Sequence, residues 1–184
     1  MRFLLPVLLL FVAQPLAAQL PLTPEFSALL DRLELRLRLP EDIRFKRKPN
    51  PENDYLADQL TLYDKAGKVE MRFHLRPESD RDVYYQRPHL RTGVLVMNLA
   101  SNDEDAVTTV HAFDEEELRT YGADWGKMYT FRPKRSYSPR ATAQLIAIYK
   151  RGRGLAYTVL LFDKAPGVLE ERQFSLGFRE DLEK

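Results

Sequence analysis

Leu145 to Tyr149 and Tyr157 to Phe162 are almost continuously apolar, and Arg151-Gly152-Arg153-Gly154 lies between them. Such runs read as central β-strands covered on both faces, because a strand with one wet face would alternate. The glycine-containing tetrapeptide is a tight-turn sequence, so the strand candidates Ala141–Lys150 and Leu155–Asp163 should form a hairpin. A hairpin apolar on both sides requires further layers above and below it, and the remaining elements must supply them.

Several other segments carry a clear period. Pro24 to Leu33 places Phe26, Leu29, Leu30 and Leu33 on one helical stripe, with Thr23 as N-cap before Pro24. Leu33, Leu35, Leu37 and Leu39 then alternate with Glu34, Arg36 and Arg38 until Pro40, as in a strand, and Ile43 and Phe45 extend that pattern. After a loop at 48–54, residues 59–76 read as a hairpin around Asp64-Lys65-Ala66-Gly67, with Gly67 expected to need positive φ. Its return strand points Val69, Met71, Phe73 and Leu75 inward and Lys68, Glu70, Arg72, His74 and Arg76 outward.

From His89 to Ala100 the period is helical, and Leu90, Val94 and Met97 form the stripe expected to pack across the sheet. Residues 101–106 form an acidic loop, and Val107 to Phe113 is a short strand candidate. Asp114-Glu115-Glu116-Glu117 has the form of a capping box, with Phe113 set as a staple against Leu118 and Gly122 closing the helix. Gly126–Arg132 is a further strand, and residues 166–178 hold a last short helix expected to end near Gly177. This order predicts an α+β fold: a mainly antiparallel β-sheet with helices packed against one face, an α/β sandwich.

The first 18 residues have the layout of a secretory signal peptide. Met1-Arg2 is a positive start, Phe3 to Val12 is apolar apart from one proline, and Gln14 to Ala18 ends in small residues. Cleavage is expected near Ala18-Gln19, leaving residues 19–184 as a single α+β domain. Arg2 carries the one formal charge by which the whole chain departs from neutrality, so residues 19–184 are formally neutral. A neutral balance argues against a dedicated nucleic-acid binder. The chain has no cysteine, which excludes disulfides, thiolate metal sites and lipidation of a new N-terminal cysteine. No later stretch is long and apolar enough for a membrane span. Export without disulfides fits a periplasmic or secreted protein of a Gram-negative bacterium.

The charge distribution is the most uneven feature. Trp125 to Phe162 contains eight basic residues and no Asp or Glu, whereas residues 101–124 hold eight acidic residues and one Arg. Trp125, Lys127, Tyr129, Arg132, Lys134, Arg135, Tyr137 and Arg140 therefore form the candidate partner-binding set, able to stack on rings and hold an acidic protein or an anionic envelope component. The competing reading is that the two blocks face one another and mostly neutralise.

Other chemistry finds little support. The carboxylates at 114–117 are accounted for by helix capping. His74, His89 and His111 lack metal-ligand spacing, although His111 could share a cation with Asp114 or Glu115. Ser136 and Ser138 have no neighbouring His, and Gly152-x-Gly154 leads into a strand rather than a helix. No catalytic residue, metal site or cofactor is assigned. A small-ligand carrier or hydrolase with a pocket between helix 89–100 and the sheet, lined by His74 or His111, is the competing class of function.

Tyr121-Gly122-Ala123-Asp124-Trp125-Gly126, the strand to Phe131 and the pair 141–163 resemble small exported proteins of Gram-negative bacteria to which no function is assigned. A looser likeness is to the PsbP-like α+β sandwich, on Leu37-Arg38-Leu39-Pro40 ending a strand and the following hairpin, helix, antiparallel strands and closing helix. That resemblance implies a non-catalytic accessory protein that binds a partner. The acidic-then-basic block at 101–140 departs from it, so no family binding residue is carried over. The expected function is an exported, non-enzymatic accessory module of the cell envelope.

Overall fold

The computed structural model describes residues 22–40, 43–79 and 86–179, so the expected signal peptide lies outside the described residues. The chain runs α1 (Pro24–Arg32), β1 (Leu35–Leu37), β2 (Phe45–Lys48), β3 (Leu60–Asp64), β4 (Val69–Pro77), α2 (Pro88–Leu99), β5 (Thr109–Ala112), α3 (Glu115–Tyr121), β6 (Trp125–Phe131), β7 (Thr142–Lys150), β8 (Gly154–Phe162), α4 (Leu169–Gln173) and β9 (Leu176–Phe178). Seven strands form one antiparallel sheet in the order β2-β3-β4-β8-β7-β6-β5, and β1 pairs with β9 in a separate two-stranded sheet. The fold is α+β with a large antiparallel sheet.

Local chemistry explains most of the element ends. Thr23 caps α1 by accepting from the Phe26 N–H, and Pro24 occupies the first turn, where no donor is lost. Asp114 and Glu117 complete the expected capping box on α3. Gly122 ends that helix at φ 61°, where an added Cβ would lie 2.8 Å from the Phe178 carbonyl oxygen. Phe113 stacks on Tyr121, with ring centroids 4.9 Å apart.

The β7–β8 hairpin forms the centre, and every residue of β8 is buried. One face carries Phe73, Met71, Leu75, Ile146, Ile148, Ala156 and Leu160 against Phe26 and Leu30 of α1, the β1–β9 pair and Tyr121 of α3. The other face carries Leu145, Ala147, Leu155, Tyr157, Val159 and Leu161 against Leu95, Val96 and Leu99 of α2, Leu56 and Tyr137. Helices therefore lie on both faces rather than one, which the two-sided apolar character of β7 and β8 requires.

Three further expectations are corrected. In the β3–β4 turn the residue at positive φ is Lys68 (φ 53°), not Gly67. Gly67 is needed instead for space, since a Cβ there would sit 2.5 Å from Asp64 Oδ2 and 2.6 Å from an Arg172 nitrogen. Arg172 and Asp64 form a buried ion pair that ties α4 to this turn. Residues 166–178 hold only the short α4, and Gly177 lies within strand β9 instead of closing a helix, because Leu176 and Phe178 are drawn into the core against β1. On β4 the expected outward side is partly interior: Arg72 and His74 are buried under the loop that follows β2.

The largest correction concerns α2. Its buried face is Pro88, Thr92, Leu95, Val96 and Leu99, whereas Leu90, Val94 and Met97 are 48 %, 55 % and 74 % exposed. Two apolar stripes compete on this helix, and the one bearing Leu95 and Leu99 wins. Thr92 is accommodated there by a hydrogen bond between its hydroxyl and that of Tyr157, at 3.2 Å.

Candidate binding surfaces

Alternation along β6 sets the residues of the basic and aromatic stretch on different sides. Trp125 and Tyr129 lean onto the α2 face, and Lys127 shares their parity. Tyr129 and Tyr137 are buried core residues, so neither is available to a partner. Arg132 pairs with Asp103 at 3.5 Å and Asp105 at 2.5 Å. Arg140 pairs with Asp163 at 2.6 Å, and that ion-pair hydrogen bond raises the guanidinium pKa further. Part of the acidic block thus neutralises part of the basic one, and two of the eight residues, Tyr129 and Tyr137, lie in the core. Trp125, Lys127, Lys134 and Arg135 remain accessible, and the three cations make no ion pair with a described residue.

Lys134 lies at the C-terminal end of α2, whose outward side is apolar. The outward stripe of α2 lies opposite its packed face, and no acidic side chain occurs in the helix. At the end of α2 the chain bridges to β6: Ala100 pairs with Pro133, Ser101 N–H donates to the Arg132 carbonyl, and Lys134 N–H donates to that of Leu99. These bonds hold Lys134 beside the end of the stripe. Among the described residues, five of the seven exposed large apolar side chains (Leu90, Val94, Met97, Val107 and Val110) belong to α2 and the segment running into β5.

A second arrangement sits over β3 and β4. Residues 50–58 and Ser136 line an open hollow of about 530 Å³. Asn53 shapes this loop, its Oδ1 accepting from the Tyr55 and Leu56 N–H groups and its Nδ2 donating to the Leu56 carbonyl. Tyr55 and Ser136 hydroxyls lie 3.3 Å apart across the rim. Beneath the loop Arg72 donates to Glu70, lies 4.9 Å from the centre of the Tyr137 ring and reaches Asp58 only at 4.0 Å. Both Asp58 carboxylate oxygens, the Tyr137 hydroxyl and the hydroxyl of Thr61, which is Arg72's cross-strand neighbour, are buried without hydrogen-bond partners.

That environment sets opposite shifts in neighbouring groups. Burial pushes the Asp58 carboxyl up to about 7, with Arg72 opposing, Glu70 adding to the rise, and the nearby Asn53 amide, outside hydrogen-bonding geometry, giving a weaker pull down. Burial also acts on Glu70, yet its bonds to Arg72 and Lys48 hold it below the usual carboxylate range. His74 is pushed down to about 4 by burial, against its 2.6 Å contact with the Ala57 carbonyl. Nothing in residue type or spacing marks Asp58. Its single trace in the sequence is a carboxylate two residues before a β-strand, facing an arginine on the next one.

The space between α2 and the sheet is filled by Thr92, Leu95, Val96 and Leu99, with Tyr157 stacked on His74 at 6.0 Å. A smaller hollow of about 370 Å³ lies at the start of the helix, lined by Pro88, Asp124, Trp125, Tyr149 and Arg151. His111 bonds Glu117, the N3 residue of the capping box, at 2.8 Å and makes no such bond to Asp114 or Glu115. Among the described residues no three His, Cys, Asp or Glu side chains converge as a metal site, and no helix is long and apolar enough to cross a membrane. No protein-family model matches the chain, and no curated protein matches it.

Proposed function

We propose that the protein is an exported, non-enzymatic binding module of the bacterial cell envelope, with its contact surface on the α2 side of the sheet. The observation that carries this reading is the outward stripe Leu90, Val94 and Met97 on α2, with Lys134 held at the C-terminal end of that helix by its N–H bond to the Leu99 carbonyl. Apolar side chains on a helix whose other face already fills a core gain nothing from exposure, and contiguous apolar surface of this kind marks interaction sites. Lys127, Lys134 and Arg135, which make no ion pair with a described residue, favour an acidic protein or an anionic envelope component. The resemblance to the PsbP-like sandwich points to the same accessory role.

The test is recovery of crosslinked partners from the native envelope with three forms of the protein. A Leu90→Asp/Met97→Asp variant and a Lys134→Glu/Arg135→Glu variant should each lose a partner that the unaltered chain retains, while keeping its thermal transition. Equal recovery by all three forms would refute the surface assignment. A second reading, a carrier of a small polar ligand, is favoured by the hollow over Asp58 and the four unpartnered polar atoms beneath it. It would be supported by a ligand that shifts the NMR signals of Asn53, Tyr55 and Ser136 and leaves those of α2 in place.

A further inference from the structure

The two edges of the seven-stranded sheet are built differently. At one edge β2 exposes Lys46, Arg47 and Lys48, the kind of charged guard that discourages edge-to-edge pairing. At the other edge β5 reads Thr-Val-His-Ala, with all four residues exposed and neither proline nor lysine among them. The Phe113 N–H donates to the Gly126 carbonyl, so by the alternation of an antiparallel ladder Thr109 and His111 bond inward to β6. The N–H and C=O groups of Val110 and Ala112 then point away from the sheet, and no described strand pairs with them.

We propose that β5 is an acceptor strand, taking an extended segment of a partner protein with Lys or Arg at its ends as an eighth strand of the sheet. The inference rests on reading the chain as a partner-binding module and names how an extended segment of a partner is held at a second place, where the local charge is acidic rather than basic. Main-chain groups presented in this way specify the occupant's conformation, since only an extended backbone satisfies two outward residues in register. The surroundings specify its chemistry. Val110 faces the α2 side beside Tyr129 and is 53 % exposed, which suits an apolar side chain on the incoming strand. Exposed Asp114, Glu115 and Glu116 follow β5 and outnumber Lys127, the cross-strand neighbour of Ala112, and exposed Glu104 stands in the loop before it, so the surroundings of the strand are net acidic and favour cations. A second copy pairing through its own β5 would set these carboxylates against each other, which disfavours that occupant.

The experiment uses the full chain and two capped synthetic peptides, Lys-Thr-Val-Thr-Val-Lys and the same sequence with Glu at both ends. The basic-ended peptide should slow amide exchange at Val110 and Ala112 by about tenfold or more and leave Thr109 and His111 unchanged. The acidic-ended peptide should bind at least about fivefold more weakly. Ala112→Pro removes one outward donor and should weaken binding of the basic-ended peptide by a similar factor. Glu115→Lys/Glu116→Lys leaves the strand intact and should do the same. Absence of protection at Val110 and Ala112 at millimolar basic-ended peptide overturns the proposal, as does protection confined to α2 or equal binding of the two peptides. Concentration-dependent assembly that a Lys46→Glu/Arg47→Glu variant abolishes would overturn the partner-strand occupant in favour of β2 from a second copy. If the α2 variants lose an envelope partner while the peptides leave β5 untouched, the proposed function stands and this inference fails. Protection at β5 with no envelope partner for any form would instead support the acceptor strand and refute the α2 contact surface.

Discussion

Asp58 and His74 share one buried polar layer and respond to pH in opposite senses. The folded-state value of Asp58, about 7, lies above its ordinary 3.8, so its contribution to stability is full in acid and is lost as pH rises through 7. The folded-state value of His74, about 4, lies below its ordinary 6.5, so its contribution is full above 6.5 and is lost as pH falls toward 4. Between these limits the two slopes largely offset each other. Asp58→Asn removes one of them. Relative to the unaltered chain, this variant should gain about 2–3 kcal/mol between pH 5 and pH 8, since one pKa unit corresponds to about 1.4 kcal/mol. Urea unfolding at the two pH values measures this, and parallel changes in both proteins would show that Asp58 is ionised throughout. Asp64 differs because its bonds compensate for its burial. Burial alone would raise it, yet the Arg172 guanidinium and the Gly67 and Ala66 main-chain donors hold it below the usual range.

At the scale of elements, α2 separates what packing needs from what the surface presents. Leu99 is fully buried and Met97, two residues earlier, is 74 % exposed. Leu99→Ala should therefore cost about 2–5 kcal/mol in chemical denaturation, whereas Met97→Gln should change stability by less than about 0.5 kcal/mol. Equal costs would mean that the helix is rotated from the orientation described. The sequence made the existence of α2 legible through its period but left its orientation ambiguous, because Leu90-Val94-Met97 and Leu95-Val96-Leu99 are both apolar. The deciding factor is tertiary: Tyr157 supplies a hydroxyl for Thr92 on one side of the helix. Elements with strong local chemistry were the readable ones, including the Thr23 cap, the capping box at Asp114, the Gly122 terminus and the β7–β8 turn. The buried polar layer was not, since β4 alternates like a strand with one wet face and only the overlying loop makes Arg72 and His74 interior. The candidate set at 125–140 was legible as composition but not as a surface, because Tyr129 and Tyr137 face inward and Arg132 and Arg140 have carboxylate partners.

For the whole molecule, the strand order sets a gradient of local stability. β4, β8 and β7 are paired on both edges and covered on both faces, so their amides can open only when the core opens. β5 is paired on one edge, has no buried residue and contributes no side chain to the described core clusters. β2 anchors its edge through Phe45 alone. Native-state hydrogen exchange should therefore find the slowest amides in β4, β7 and β8, with free energies of opening close to that of global unfolding. Thr109 and His111 should open by several kcal/mol less, and Val110 and Ala112 should exchange close to the rate of an unstructured chain. Uniform protection through β5 would mean that its outer edge is already covered in the isolated protein, leaving no place for an added strand. Low protection there would mark β5 as the easily opened end of the sheet, which an added partner strand could order at little cost to the core.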